Sequence, residues 1–215
     1  MIKVDMHVHT SFSPDSLIHI DDLLRACDRR GIDCVAVTDH DTAEGALKLY
    51  ESAPSRIIVG EELHTTSGEI IGLFLKETIP PLLSPMETIE RIKQQGGLVY
   101  LPHPFDRMRS SVLADQARDE IWELLDIVEV FNSRSGFRRS NKEAAAFAAE
   151  KGIPAGAGSD AHARYELGNA HAIMEPFSSA EDFLLKLADA EIHTRKTPVI
   201  FNLATKVYKM IRGIG

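Results

Sequence analysis

The run Ile2-Lys3-Val4-Asp5-Met6-His7-Val8-His9 constrains this chain more than any other stretch. Its alternation predicts a half-buried strand, with Asp5, His7 and His9 projecting to one side and Val4, Met6 and Val8 to the other. Neutral imidazole nitrogen and carboxylate oxygen suit zinc, manganese and iron. A strand ending in His-x-His therefore offers a divalent cation two ligands. Taken alone, the pattern more often marks two hydrogen-bonded histidines in a half-buried strand than a metal site. The rest of the chain decides, because it repeats the arrangement.

Strand-like runs recur at Asp33 to His40, Arg56 to Glu62, Glu69 to Leu75, Leu98 to His103, Ile127 to Asn132 and Ile153 to Gly158, with a last one around Ala172 to Met174. Helical segments lie between them. Ile20 to Arg30 closes at Gly31, and Thr42 to Ser52 follows the second strand. Ser84-Pro85-Met86-Glu87 reads as a capping box whose helix ends at Gly96-Gly97, and another helix closes at Trp122 to Asp126. Ser140-Asn141-Lys142-Glu143 reads as a second capping box, opening an alanine-rich helix to Gly152, and Ser178 to Glu181 as a third, opening a helix to Ala190. Short apolar runs alternating with helices call for a parallel sheet with right-handed crossovers, here about seven units.

His7, His9, His40, Glu62, His103, Asn132, Asp160 and His162 all fall at strand C-terminal ends. A barrel gathers those ends on one face, whereas an open sheet strings them along an edge. Convergence favours an α/β barrel in a single domain spanning 1–215. Five histidines (His7, His9, His40, His103, His162) and three carboxylates (Asp15, Glu62, Asp160) exceed the needs of one ion. Hydrolytic sites with several metals bridge their ions with a carboxylate, a role suited to Glu62 or Asp160.

Composition narrows the classes. With 215 residues, 44% apolar and 26% charged, the chain is that of an ordinary globular protein. No stretch of eighteen apolar residues and no secretory leader pattern is present, so the expectation is a cytoplasmic protein without a membrane span. Cys27 and Cys34 lack Cys-x-x-Cys spacing and are expected as reduced core thiols, which leaves any metal to histidine and carboxylate. A net charge of -8 argues against general nucleic-acid coating. Residues 199–215, apolar on one side with Lys206, Lys209 and Arg212 interspersed, are expected as a helix packing on the barrel or on a second subunit rather than on a membrane.

The ordered set Asp5-Met6-His7-Val8-His9-Thr10, Thr38-Asp39-His40-Asp41, Gly60-Glu61-Glu62, His103-Pro104 and Ser159-Asp160-Ala161-His162 resembles the PHP family, named for polymerase and histidinol phosphatase. The resemblance covers nearly the whole chain. It implies a distorted seven-stranded (β/α) TIM-like barrel, a cluster of two or three divalent metals and phosphoester hydrolysis. By motif it carries over His7, His9, Asp15, His40, Glu62, His103, Asp160 and His162 as ligands. Several members of the family place a histidine where this chain has Asn132, a neutral and weaker ligand for a third ion. Only 41 residues separate Glu62 from His103, which argues against a cap domain.

Six arginines fall in three of these loops: Arg107 and Arg109; Arg134, Arg138 and Arg139; and Arg164. Arginine suits phosphate bidentately. Arg134 is the first choice for binding it, with Arg107 and Arg164 next, although solvated loop arginines explain each one singly. The expected substrate is a small phosphomonoester such as a nucleotide, attacked by a metal-bound hydroxide, with His162 or Asp15 assisting the leaving group. Manganese, zinc or iron suits five histidines better than magnesium. The rivals are an exonuclease or phosphodiesterase using the same metals, an amidohydrolase-type C–N hydrolase, and a metal-binding regulatory module. Asp41, with Glu44 three residues on, reads as a helix cap, His64 as solvent-facing, and His19, His171 and His193 carry no pattern.

Overall fold

In the computed structural model, which describes residues 1–198, β1 (Ile2–Val8) is paired along both of its edges. β2 (Cys34–Val37) lies parallel to it and β3 (Ile57–Thr65) parallel to β2. β4 (Gly68–Leu73) then runs antiparallel between β3 and β5 (Leu98–Leu101), after which β6 (Ile127–Asn132) and β7 (Ala155–Gly158) continue in parallel. Just past β7 the chain returns to β1. The Asp160 N–H donates to His7 O at 2.8 Å, and the His9 N–H to Ala161 O at 3.0 Å.

Seven strands thus almost close into a barrel, as expected. It is distorted in two ways. β4 is reversed because the two residues Thr66-Ser67, followed by Gly68 at φ 125°, fold the chain straight back where a crossover helix would otherwise stand. In addition β8 (Ala170–Met174) pairs antiparallel with the start of β1, and β9 (Glu191–Thr194), which the sequence reading placed in no strand, pairs antiparallel with β8.

One apolar residue from each of six successive strands, Met6, Ala36, Ile58, Ile71, Tyr100 and Ile127, forms a buried interior cluster. Their strand neighbours Val35, Val37, Ile57, Val59, Val99 and Val128 point outward to meet the helices. Those are α1 (Ile20–Arg30), α2 (Glu44–Ser52), α3 (Pro85–Gln94), α4 (Asp115–Ile121), α5 (Arg138–Lys151) and α6 (Ala180–Leu187).

Local chemistry sets the helix ends. Gly31, at φ 65°, closes α1, and the Ser84–Glu87 capping box opens α3, both as predicted. The other two predicted boxes are corrected. α5 begins two residues before Ser140, and the Asn141 side chain instead bonds both the N–H and the C=O of Asn132. α6 takes Ser179, which accepts from the Asp182 N–H at 3.1 Å, in place of Ser178. Among the described residues no helix is long and apolar enough to cross a membrane. The expected packing helix at 199–215 lies outside the described residues.

Candidate metal centre

A bulge on β1 aims the His-x-His pair. The register with β2 shifts between Asp5 and Val8, so alternation does not hold along the whole strand. Val4 and Met6 join the interior cluster and Val8 the outer one, while His7 and His9 enter the barrel. Asp5 does not share their face, contrary to expectation. Its carboxylate accepts from the backbone N–H of Ser159 at 2.9 Å and of Gly168 at 2.8 Å, tying the loop after β7 to β1. Burial pushes its pKa up to about 6 against those hydrogen bonds.

The ligands proposed from sequence meet at the mouth of the barrel, all of them buried except the partly exposed His40. Glu62 lies at their middle. Its Oε2 is 3.3 Å from Nε2 of both His7 and His9 and 3.2 Å from Nδ1 of His40, and its Oε1 is 3.1 Å from His103 Nε2. Asp160 Oδ1 stands 3.4 Å from His9 Nε2 and from His162 Nδ1. Asp15 places Oδ2 3.1 Å from His162 Nε2 and Oδ1 3.8 Å from His40 Nε2. His103 and Asp160 both hold left-handed backbone, at φ 31° and 53°. Hydrogen bonds from the His103 N–H to Glu129 and from the Asp160 N–H to His7 O fix them there.

Hydrogen bonding assigns the imidazole nitrogens. The His7 Nδ1–H donates to Glu129 Oε1 at 3.1 Å. The His9 Nδ1–H donates to Ser13 Oγ at 3.0 Å, whose own hydroxyl donates to Asp39 Oδ1. The His162 Nδ1–H donates to the Asp160 carbonyl at 2.9 Å. In the neutral tautomers each Nε2 then presents a lone pair to carboxylate oxygens that also carry lone pairs. Only a proton or a metal cation reconciles such facing acceptors. Two donors about 2.1 Å from one ion and about 90–110° apart are separated by about 3.0–3.4 Å, which is the spacing found here. The donor set fits divalent metal in chemistry and in spacing.

The electrostatics agree. Burial opposes charge on His7, yet Glu62, Glu129 and Asp160 outweigh it and hold its pKa well above the ordinary imidazole value. His9, pulled by Asp160 and Glu62 against the same burial, rises to about 9. His162, buried and near Arg134 and His9, falls to about 3. Glu62 and Asp160 are held well below the carboxylate range despite burial, the first chiefly by His7 and His103 and the second by Arg109 and His7.

The structure redistributes the remaining candidates. Asn132 lies against Asp160, with its Nδ2–H donating to Asp160 Oδ2 at 3.2 Å and to Glu129 Oε2 at 3.0 Å, and its Oδ1 accepting from the Arg134 N–H at 2.9 Å. The Arg134 side chain is partly buried, with NH1 3.4 Å from Asp160 O and Nε 3.8 Å from Glu166 Oε1. Arg107 and Arg164 are not brought to the cluster. Both are exposed, and Arg164 pairs with Asp22 at 3.4 Å. Arg109, named in the sequence but not preferred, reaches Asp160 directly. Asp41 caps no helix, since α2 begins at Glu44, and instead accepts from the His64 Nδ1–H at 3.0 Å. His64 is accordingly half-buried between Asp41 and Glu69 rather than free in solvent. Sequence reasoning missed Glu69 and Glu129, acids inside apolar strands where apolar side chains are the rule; that mismatch is the signal that marks them.

The family model described as PHP domain matches residues 5–101, and the one described as PHP-associated matches residues 138–191. Uncharacterized protein MJ1587 of Methanocaldococcus jannaschii is 43% identical over 146 residues, covering 61% of this chain and 82% of that protein. MJ0417 of the same organism is 40% identical over 173 residues, covering 79% and 69%. Among solved structures, a two-domain protein containing a predicted PHP-like metal-dependent phosphoesterase, from Bacteroides vulgatus ATCC 8482, superposes with a TM-score of 0.69 at 18% identity. That match covers 90% of this chain and 65% of the Bacteroides protein. Endonuclease Q, in complex with a 27-mer duplex bearing an abasic lesion, gives a TM-score of 0.65 at 14% identity over 89% of this chain and 58% of its own. These structural likenesses speak for the fold.

Proposed function

Because the chain belongs to the PHP family, we propose that it is a metal-dependent phosphoesterase acting on a phosphomonoester, a nucleotide or another small phosphorylated metabolite. The observation that carries this reading is the set of imidazoles whose Nδ1–H groups are tied down and whose Nε2 atoms face Glu62, Asp160 and Asp15 at about ligand spacing. His7, His9, Glu62 and Asp160 would hold one ion, Asp15, His40 and His162 a second, and Glu62 with His103 part of a third. Two or three ions of manganese, zinc or iron suit these donors. Such ions lower the pKa of bound water toward neutrality and stabilise charge on phosphoryl oxygens.

The chain supplies the rest. Arg109 and Arg134 converge on Asp160 from separate loops, where their guanidinium groups would orient the non-bridging oxygens of a phosphate. Asp15 and His162 form the pair nearest to hand for a proton at the leaving oxygen. Burial keeps the His162 imidazole neutral at ordinary pH, so it suits a ligand or an acceptor better than an acid.

The test compares hydrolysis of p-nitrophenyl phosphate and of its bis-ester by manganese-loaded protein, with His9→Ala as control. Preference for the monoester, lost in the control, is the expected result. Preference for the diester would move the assignment to exonuclease or phosphodiesterase chemistry. Turnover of neither, with metal bound, would leave a regulatory metal-binding module.

A further inference from the structure

Two groups that would hold an ion at His103, the His103 imidazole and the Glu62 carboxylate, face each other, while a third candidate, Asn132, is turned to other work. Both polar atoms of its amide are engaged, Oδ1 with the Arg134 N–H and Nδ2 with Glu129 and Asp160. Asn132 holds Asp160 in position and presents no oxygen to His103 or Glu62. An ion held by His103 Nε2 and Glu62 Oε1, 3.1 Å apart, needs another protein donor.

One stands opposite. Glu69 lies on β4 directly across from His64 on β3, in the register that pairs Glu62 with Ile71, so Glu62, His64 and Glu69 share the interior face. The Glu69 side chain is only 3% exposed. Its Oε1 is bonded 3.1 Å from His64 Nε2, and His64 is in turn fixed through Nδ1 to Asp41 at 3.0 Å. Its Oε2 receives no hydrogen bond and points at His103 Nε2, 3.6 Å away. A buried carboxylate oxygen without a donor is costly unless a cation meets it. The reversal of β4 is what delivers it, since the tight turn at Thr66-Ser67 brings Glu69 back beside the strand that carries Glu62.

We propose that Glu69 Oε2 ligates the ion held by Glu62 and His103, replacing the ligand that Asn132 does not provide, with the Asp41–His64 pair positioning its carboxylate. The proposal rests on the reading of this cluster as a metal centre.

Titration of metal-free protein with Mn2+, followed by metal analysis after dialysis, tests it on wild type, Glu69→Gln and, as control, Arg107→Ala at an exposed position away from the cluster. Glu69→Gln is expected to retain one ion fewer per chain, or to bind its weakest ion on the order of 10-fold or more less tightly. Arg107→Ala should keep the wild-type count. Unchanged count and affinity in Glu69→Gln overturns the proposal, and so does an equal loss in Arg107→Ala. Should Glu69→Gln fail to fold by circular dichroism, Glu69→Asp, which retracts the oxygen by one methylene, must weaken the same ion, and an unaltered titration overturns the assignment. Wild type that binds no ion at all would instead sink the metal-centre reading itself.

Discussion

Nδ1 of His7 stands 3.1 Å from Oε1 of Glu129, and the other oxygen of that carboxylate accepts from the His103 backbone N–H at 2.7 Å and from the Asn132 amide at 3.0 Å. One wholly buried side chain on β6 therefore orients residues from three strands. Glu129→Gln replaces an acceptor with a donor beside His7 and disturbs its tautomer. Mn2+ affinity should fall by about 10- to 100-fold while the chain stays folded, as read by titration and circular dichroism.

Gly158 sits where β7 passes β1. A Cβ there would lie 2.2 Å from His7 Cβ and 2.6 Å from Glu129 Oε1. Gly158→Ala should force β7 off β1 and destabilise the protein by about 3 kcal/mol or more in urea unfolding, with metal affinity lost alongside. By contrast Gly152→Ala meets nothing within 4 Å and should act only through its φ of 67°, a smaller cost on the order of 1 kcal/mol.

Arg109 contacts Asp160, and Arg107, two residues earlier, faces solvent. Arg109→Ala should raise the KM for p-nitrophenyl phosphate by about 10-fold or more, whereas Arg107→Ala should shift it less than about 2-fold. Equal effects from the two would remove Arg109 from the phosphate site.

His171, on β8 and stacked on His193 at 4.5 Å, donates its Nδ1–H to Gly168 O. Burial first, then His193 and Lys3, lowers its pKa below the ordinary value. The unfolded chain thus takes up this proton more readily than the folded one. The stability it contributes is fully present above about pH 6.5 and is lost as pH falls below that. Urea unfolding of metal-free protein from pH 7.5 down to 5.5 should show a larger loss for wild type than for His171→Gln.

The convergence of the candidate ligands was legible because each, Asp15 apart, follows an apolar run, and a barrel has one place where strand ends can meet. Gly31 and the Ser84–Glu87 box were legible because backbone geometry at a helix end admits few residue types. Asp5 was misread because alternation cannot announce a bulge, which is settled by pairing between β1 and β2. The reversal of β4 was hidden for a related reason, since an apolar run does not encode strand direction. Asp41 and His64, 23 residues apart, find each other only because β3 runs past the end of β2. β9 went unseen because Glu-Ile-His-Thr is short, mostly exposed and largely polar.

The return of the chain from β7 to β1 has a kinetic side. Ser159 and Asp5, 154 residues apart, share a hydrogen bond, and so do His162 and Asp15 at a separation of 147. A chain that stops short of His162 lacks part of the candidate donor set, so an ion would be fully chelated only once the segment after β7 has docked on β1. Conversely, peeling β7 away from β1 would open the cage and free a bound ion. Such an ion would act as a clasp on a ring otherwise closed there by the bonds from Asp160 to His7, from His9 to Ala161 and from Ser159 to Asp5.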